Sequence, residues 1–109
     1  MDRPEPSAKT KRLFDDIGEE LVGRGVTVGA MFGMPTYKVG SKAIGGLYGD
    51  AMVFKLPTDA RDDALRLKGA APFDPMGGRP MKEWVVVPAT HARRWRALTE
   101  AALAYVSGG

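Results

Sequence analysis

The sequence is 109 residues long, with 44% hydrophobic and 27% charged residues, which suits a single globular domain with one core. No cysteine is present, so disulfides, thiolate metal ligands and a cysteine nucleophile are excluded. The net charge of +3 is a mild excess that lacks the concentrated basic stripe of nucleic-acid binders. No apolar run approaches the roughly 20 residues of a membrane span, and no secretory signal precedes the domain. We therefore expect a cytoplasmic protein without a membrane partner.

The chain begins with a charged, proline-rich segment, residues 1–7, which we predict to be a disordered lead-in. Ser7 is a good N-cap for a first helix, and Gly23 and Gly25 are expected to end that helix. Apolar residues spaced by four predict its buried side: Leu13, Ile17 and Leu21, with Phe14 and Val22 beside them.

The stretch from Met31 to Pro57 predicts three short strands joined by tight turns at residues 40–42 and 49–50. Residues 26–28 lead into this meander. The alternation of apolar residues from Met52 to Leu56 is typical of a strand with one buried face. Gly33 is interpreted as a strand glycine approached closely by a neighbour, and residues 45–46 as a bend or bulge where a helix or loop crosses.

A short helix is predicted over residues 59–68, after an N-cap at Thr58. Residues 71–81 contain three prolines and two glycines and are predicted to form a loop. Residues 82–87 form the fourth predicted strand, in which Trp84 is covered because both faces of the strand are apolar. A last helix follows an N-cap at Thr90, and its predicted buried stripe consists of Trp95, Leu98, Ala102 and either Tyr105 or Val106.

These elements predict an α+β fold in the order α-β-β-β-α-β-α. An antiparallel sheet of about four strands would carry the helices on one face. We expect one domain over residues 8–106, followed by a frayed tail at residues 107–109.

The glycine-rich part of the long loop is a candidate anion site. Adjacent glycines can adopt an alternating backbone that directs successive N–H groups at one anion, and an arginine adds a planar pair of donors. The candidate residues are Gly77, Gly78, Arg79 and Lys82. The alternative is that the two glycines only form the turn before the next strand.

Two basic helix starts are candidates for contacts with nucleic-acid phosphates, provided that they are adjacent. The residues are Lys9, Lys11, Arg12, Arg93, Arg94 and Arg96. The alternative is a charged, solvated surface, since no aromatic residue is clearly exposed beside them for base stacking.

No catalytic residues, metal site or cofactor are predicted. The only histidine, His91, has no recognisable nucleophile or orienting partner in the sequence and is interpreted as a surface residue. The acidic residues of the first helix are interpreted as its solvated face. We therefore expect a protein that is not an enzyme.

Three segments together resemble the TfoX N-terminal domain family: residues 31–33 (Met-Phe-Gly), the glycine-broken meander ending at Leu56, and PFDPMGGRPMKEWVVVP from Pro72 to Pro88. The resemblance covers about residues 11–106, and YjbR-type domains share the element order more remotely. It implies a compact bacterial α+β regulatory domain and supplies no catalytic residues. The competence regulator TfoX (Sxy) has a second, helical domain, and its regulatory activity is not carried over here.

The leading functional hypothesis is a binding domain that acts through protein–protein interaction, with an unidentified partner or with itself. Nucleic-acid association and small-anion binding are the alternatives. A homodimer is expected if an unguarded sheet edge near residues 31–34 pairs across a two-fold axis. Three lysines could guard an edge: Lys38, Lys42 and Lys55. Cover of that edge by the first helix or by residues 72–81 would instead give a monomer.

Overall fold

The computed structural model describes residues 6–75, 77–78 and 80–108. Three helices and six strands follow one another as α1 (Ala8–Leu21), β1 (Val26–Met31), β2 (Met34–Val39), β3 (Lys42–Tyr48), β4 (Ala51–Lys55), α2 (Thr58–Leu65), β5 (Ala71–Pro72), β6 (Trp84–Pro88) and α3 (Trp95–Gly108). Short 3₁₀ turns, Val22–Arg24 and Ala89–Arg94, precede β1 and α3. All the strands belong to one antiparallel sheet in the order β1-β2-β3-β4-β6-β5.

The predicted α+β class, with an antiparallel sheet and helices, is confirmed. The strand count and the element order are wrong, because six strands replace about four and the order is α-β-β-β-β-α-β-β-α. The first extra strand arises at residues 32–33, where Phe32 (φ 54°) and Gly33 (φ 76°) form a two-residue hairpin turn. Gly33 therefore lies in a turn and not within a strand. A bulky residue at positive φ is rare, so Phe32 did not signal this turn.

The second extra strand, β5, falls in the segment predicted to be a loop. Ala71 pairs with Val86 and Pro72 with Val85. A proline is tolerated here because β5 lies at the edge of the sheet, where no neighbour needs its missing N–H. Phe73 extends the contact, since its N–H donates to the carbonyl of Trp84 at 3.3 Å.

A bulge does occur in β3, but at residue 44, directly before the predicted residues 45–46, which pair regularly with β2. Tyr37 pairs with Gly45 and Lys38 with Ala43, which leaves Ile44 as the extra residue of β3. The close neighbours are strands and not a helix or loop: a Cβ on Gly45 would lie 2.9 Å from the carbonyl oxygen of Val53. Glycine is therefore required for the strands to approach one another.

The helices cover one face of the sheet with the two predicted apolar stripes. Ile17, Leu21, Trp95 and Ala102 are buried there, with Leu13 and Leu98 partly buried beside them. Within this core Phe14 stacks on Tyr37 at a centroid distance of 4.4 Å. Burial raises the pKa of the Tyr37 hydroxyl, which donates a hydrogen bond to the carbonyl of Phe14.

The opposite face carries a second cluster. Met34, Val53, Phe73 and Trp84 are buried there, with Met81 and Tyr48 packed against them. Phe73 and Met81 belong to the segment between β5 and β6, so this segment covers the face that the helices leave open. The prediction that Trp84 is covered is confirmed, because only 5% of the residue is exposed.

The ends of the helices differ in part from the predictions. Ser7 is the N-cap of α1 as predicted, and its Oγ accepts a hydrogen bond from the N–H of Thr10 at 3.1 Å. The helix α2 begins at Thr58 and ends at Leu65, earlier than predicted. The tail predicted to fray is helical through Gly108, and most of the predicted lead-in, residues 1–5, lies outside the described residues. None of the helices in the described part of the chain is long and apolar enough to span a bilayer.

Candidate functional site

The outer edge of β1 is the first candidate site. This strand is the last in the sheet order, and no other described strand pairs with its outer side. Its sequence, Val-Thr-Val-Gly-Ala-Met, contains no charged residue, and residues 27–30 are exposed. Its pairing with β2 is continuous, without a bulge.

The hairpin turn decides which backbone groups of β1 point outward. A two-residue turn makes Met31 and Met34 a hydrogen-bonded pair. Along antiparallel strands, hydrogen-bonded pairs alternate with pairs that share no backbone hydrogen bond. Gly29 and residue 27 therefore bond to β2. The N–H and C=O groups of Val26, Val28 and Ala30 point away from the sheet.

Exposed apolar side chains concentrate at this edge. Three large hydrophobic residues are exposed in the described part of the chain: Val22 (63%), Val28 (56%) and Phe32 (44%). Val28 lies in β1, and the other two lie just before and just after the strand. Val28 lies towards α1, whereas the ring of Phe32 contacts that of Phe73 on the other face, so these residues flank the edge strand and do not form one continuous patch.

The lysines expected to guard a sheet edge do not guard this one. Lys38, Lys42 and Lys55 belong to β2, β3 and β4, which are interior strands, so that expectation is wrong. The stem of Lys38 crosses β1 on one face of the sheet, above Gly29. The helix α1 also packs on a face, since a Cβ on Gly18 would lie 3.7 Å from Val28 Cγ2.

The glycine-rich loop does not have the backbone that the anion hypothesis requires. Gly77 (φ 72°) and Gly78 (φ 108°) both have positive φ, so the expected alternation is wrong. The N–H of Gly78 donates to Asp74 Oδ2 at 2.8 Å, so a carboxylate of the chain itself occupies this donor. Lys82 is exposed before β6, and Arg79 lies outside the described residues. Anion binding at this loop stays a prediction.

The two basic helix starts do come together. Lys9 of α1 and Ala92, which precedes α3, line the same hollow of about 200 Å³. Nucleic-acid binding through these starts stays a prediction.

Two cations of this basic set are already paired. Lys11 Nζ lies 2.8 Å from Asp15 Oδ2, and Arg96 Nη2 lies 2.8 Å from Glu20 Oε2. The hydrogen bonds from Arg96 hold the pKa of the Glu20 carboxyl below its usual value. The exposed members that remain are Lys9, Arg12, Arg93 and Arg94.

A hollow at one end of the sheet, which sequence reasoning missed, has a volume of about 330 Å³. We call it the end hollow; it is lined by Lys42, Lys55, Glu83, Tyr105 and Val106. The Tyr105 hydroxyl donates to Glu83 Oε2, and Lys55 Nζ lies 3.8 Å from Glu83 Oε1. The hydrogen bond to Glu83 raises the pKa of Tyr105. No local motif could signal this site, because its residues are spread over positions 42–106.

His91 lies half-buried, and its Nε2–H donates to the carbonyl oxygen of Lys68 at 2.9 Å. Over the residues that the structure describes, no group of three or more histidine, cysteine, aspartate or glutamate side chains is placed to hold a metal ion.

Comparison of the chain with family models, with curated proteins and with solved structures gave no match. The resemblance to the TfoX N-terminal domain family therefore stays a prediction.

Proposed function

We propose that this protein is a non-enzymatic binding domain that acts by strand addition at the outer edge of β1, and that the added strand is β1 of a second copy. The observation that carries this proposal is the position of the exposed apolar side chains. Val22, Val28 and Phe32 all lie on or beside an uncharged edge strand. Strand addition satisfies the outward backbone groups, and the apolar side chains supply buried area.

The alternation of backbone groups specifies the register of the pair. Val26, Val28 and Ala30 have outward N–H and C=O groups, so the middle residue, Val28, lies on the two-fold axis. It would exchange both backbone bonds with Val28 of the second copy, and Val26 would do so with Ala30. Exchanging the two copies leaves this set of backbone hydrogen bonds unchanged, as a two-fold symmetric dimer requires.

The absence of charge favours a second copy as the occupant. In a two-fold antiparallel pair, residues near the axis meet their own equivalents, and like charges directly opposite each other are destabilising. The strand β1 itself has no charge, so no like charges lie directly opposite each other; the nearest cation is the ammonium group of Lys38, which lies over Gly29 on one face. The regulatory role that the TfoX resemblance implies would then depend on the balance of monomer and dimer.

Sedimentation equilibrium from low to high micromolar concentration tests this proposal. We expect the mass to rise from 11.7 kDa towards twice that value. Val28→Lys places two ammonium groups across the axis and should leave a monomer. The matched control, Ala97→Lys, adds the same charge at an exposed position of α3 and should dimerise like the parent.

A parent protein that stays at 11.7 kDa throughout would contradict self-pairing. A dimer that survives Val28→Lys would show that copies associate through another surface.

A further inference from the structure

We propose that the end hollow binds a small organic anion, with its carboxylate or phosphate group held by Lys42 and Lys55 and its apolar part against Val106. This site lies on elements other than β1 and does not depend on the proposed strand addition. Its volume of about 330 Å³ falls at the lower end of the range for small-ligand pockets, about 300–1,000 Å³.

The walls of the end hollow come from regular elements. The strand β3 begins at Lys42, β4 ends at Lys55, and β6 begins directly after Glu83. These three strand ends meet at one end of the sheet, beside the last turns of α3, which supply Tyr105 and Val106. Side chains on strands and helices are held more precisely than side chains on loops.

The charges in the hollow favour an anion. The two lysines contribute two positive charges and Glu83 one negative charge, which leaves one positive charge without an internal counter-ion. Tyr105 carries no charge near neutral pH, and the hydrogen bond to Glu83 raises its pKa further. Lys42 forms no salt bridge within the described part of the chain, so its ammonium donors are open to a ligand.

Glu83 is a positioning residue for Lys55. One of its oxygens lies 3.8 Å from Lys55 Nζ, and the other accepts the hydrogen bond of Tyr105. Tyr105 and Lys55 thus fix the position of the Glu83 carboxylate, whose negative charge is already included in the net charge of the hollow. Val106 provides an apolar wall, so an anion with an apolar body should bind more tightly than inorganic phosphate.

The test is a titration of the full chain, followed by the backbone amide resonances. The probes are benzoate and phenyl phosphate, with neutral benzamide as the matched control ligand. We expect saturable shifts at Lys42, Lys55, Tyr105 and Val106 with at least one anion, and the tighter of the two identifies the carboxylate or phosphate class. Benzamide should bind at least about tenfold more weakly, because it lacks the charge-assisted hydrogen bonds.

Lys42→Met should weaken binding about tenfold or more, whereas the control Lys68→Met, at an exposed lysine elsewhere, should leave the affinity unchanged. Lys42 is exposed, so its replacement should not disturb the core. The proposal fails if neither anion gives saturable shifts, if benzamide binds as tightly as benzoate, or if the two lysine variants have equal affinity.

Discussion

The two edges of the sheet differ in how they are closed. The edge at β5 is two residues long, ends at Pro72 and continues into a buried phenylalanine, Phe73. The edge at β1 is six residues long and has neither a charge, a proline nor a bulge. Short length and proline are features by which proteins prevent an edge from pairing with another chain. The contrast shows that one edge is protected within the chain, whereas the other lacks these protective features.

Phe73 is the residue that closes the β5 edge. It is 1% exposed, and its ring lies 5.3 Å from that of Tyr48 and 6.2 Å from that of Trp84. Its carbonyl accepts a hydrogen bond from the N–H of Met81 at 2.8 Å, which folds the following segment back over the sheet.

The largest expected effect is therefore on the free energy of unfolding when the Phe73 ring is removed. Phe73→Ala should lower the free energy of unfolding by about 3–5 kcal/mol, because it leaves a cavity in the second core cluster. Urea denaturation measures the change. Phe32→Ala, which removes a 44%-exposed ring that contacts Phe73 edge-on at 6.4 Å, should have a smaller effect. A loss below about 1 kcal/mol for Phe73→Ala would mean that the β5 edge is closed in another way.

Proline substitutions in β1 distinguish its two sides. Gly29→Pro removes a hydrogen bond to β2 and should cost about 1–3 kcal/mol of folding stability. Val28→Pro removes only an outward N–H, so it should cost less stability while abolishing the dimer. Urea denaturation and sedimentation measure the two properties separately. Equal losses of stability in both variants would contradict the assignment of outward groups.

Lowering the pH should reduce the free energy of unfolding more than it changes the dimer dissociation constant. Hydrogen bonds from the Thr10 side chain and from the N–H of Ser7 hold the pKa of Asp50 low, as those from Arg96 do for Glu20. Groups with lowered pKa stabilise the fold above their unfolded pKa of about 4, and this contribution disappears as the pH falls through the folded value. Because β1 has no titratable group, the dimer dissociation constant should be constant from about pH 5 to pH 8.

Asp50→Asn should reduce the acid sensitivity of the urea midpoint and leave association unchanged. In the proposed pair the two Lys38 side chains lie over Gly29 on the same face near the axis, so added salt should strengthen association modestly by screening their repulsion. A dissociation constant that varied strongly with pH or salt would point to a charged interface elsewhere.

Much of the sheet could be predicted from sequence where side chains alternate, as from Met52 to Leu56. The strand β1 was missed because Gly29 and Ala30 carry no pattern and because Phe32 occupies a turn position that favours glycine or asparagine. The strand β5 was missed because two backbone pairs at Ala71 and Pro72 leave no sequence signal.

The candidate sites depend on long-range geometry that no local pattern encodes. The order of strands determines that β1 is an edge strand and that Lys38, Lys42 and Lys55 lie on interior strands. The end hollow requires three strand ends and the last turns of α3 to meet. The glycine pair of the long loop predicted an alternating backbone that would direct N–H groups at a bound anion. Both glycines have positive φ instead, and the N–H of Gly78 donates to the carboxylate of Asp74 in the same chain.

Amide hydrogen exchange, measured at low and at high protein concentration, tests the pairing of β1 most directly. We expect the N–H groups of Val28 and Ala30, which are exposed, to exchange rapidly in the dilute protein and to become protected as the dimer forms. The N–H of Gly29 faces β2 and should be protected at both concentrations, which makes it an internal control. If the amides of Val28 and Ala30 exchange equally fast at both concentrations while the protein is dimeric, β1 is not the interface.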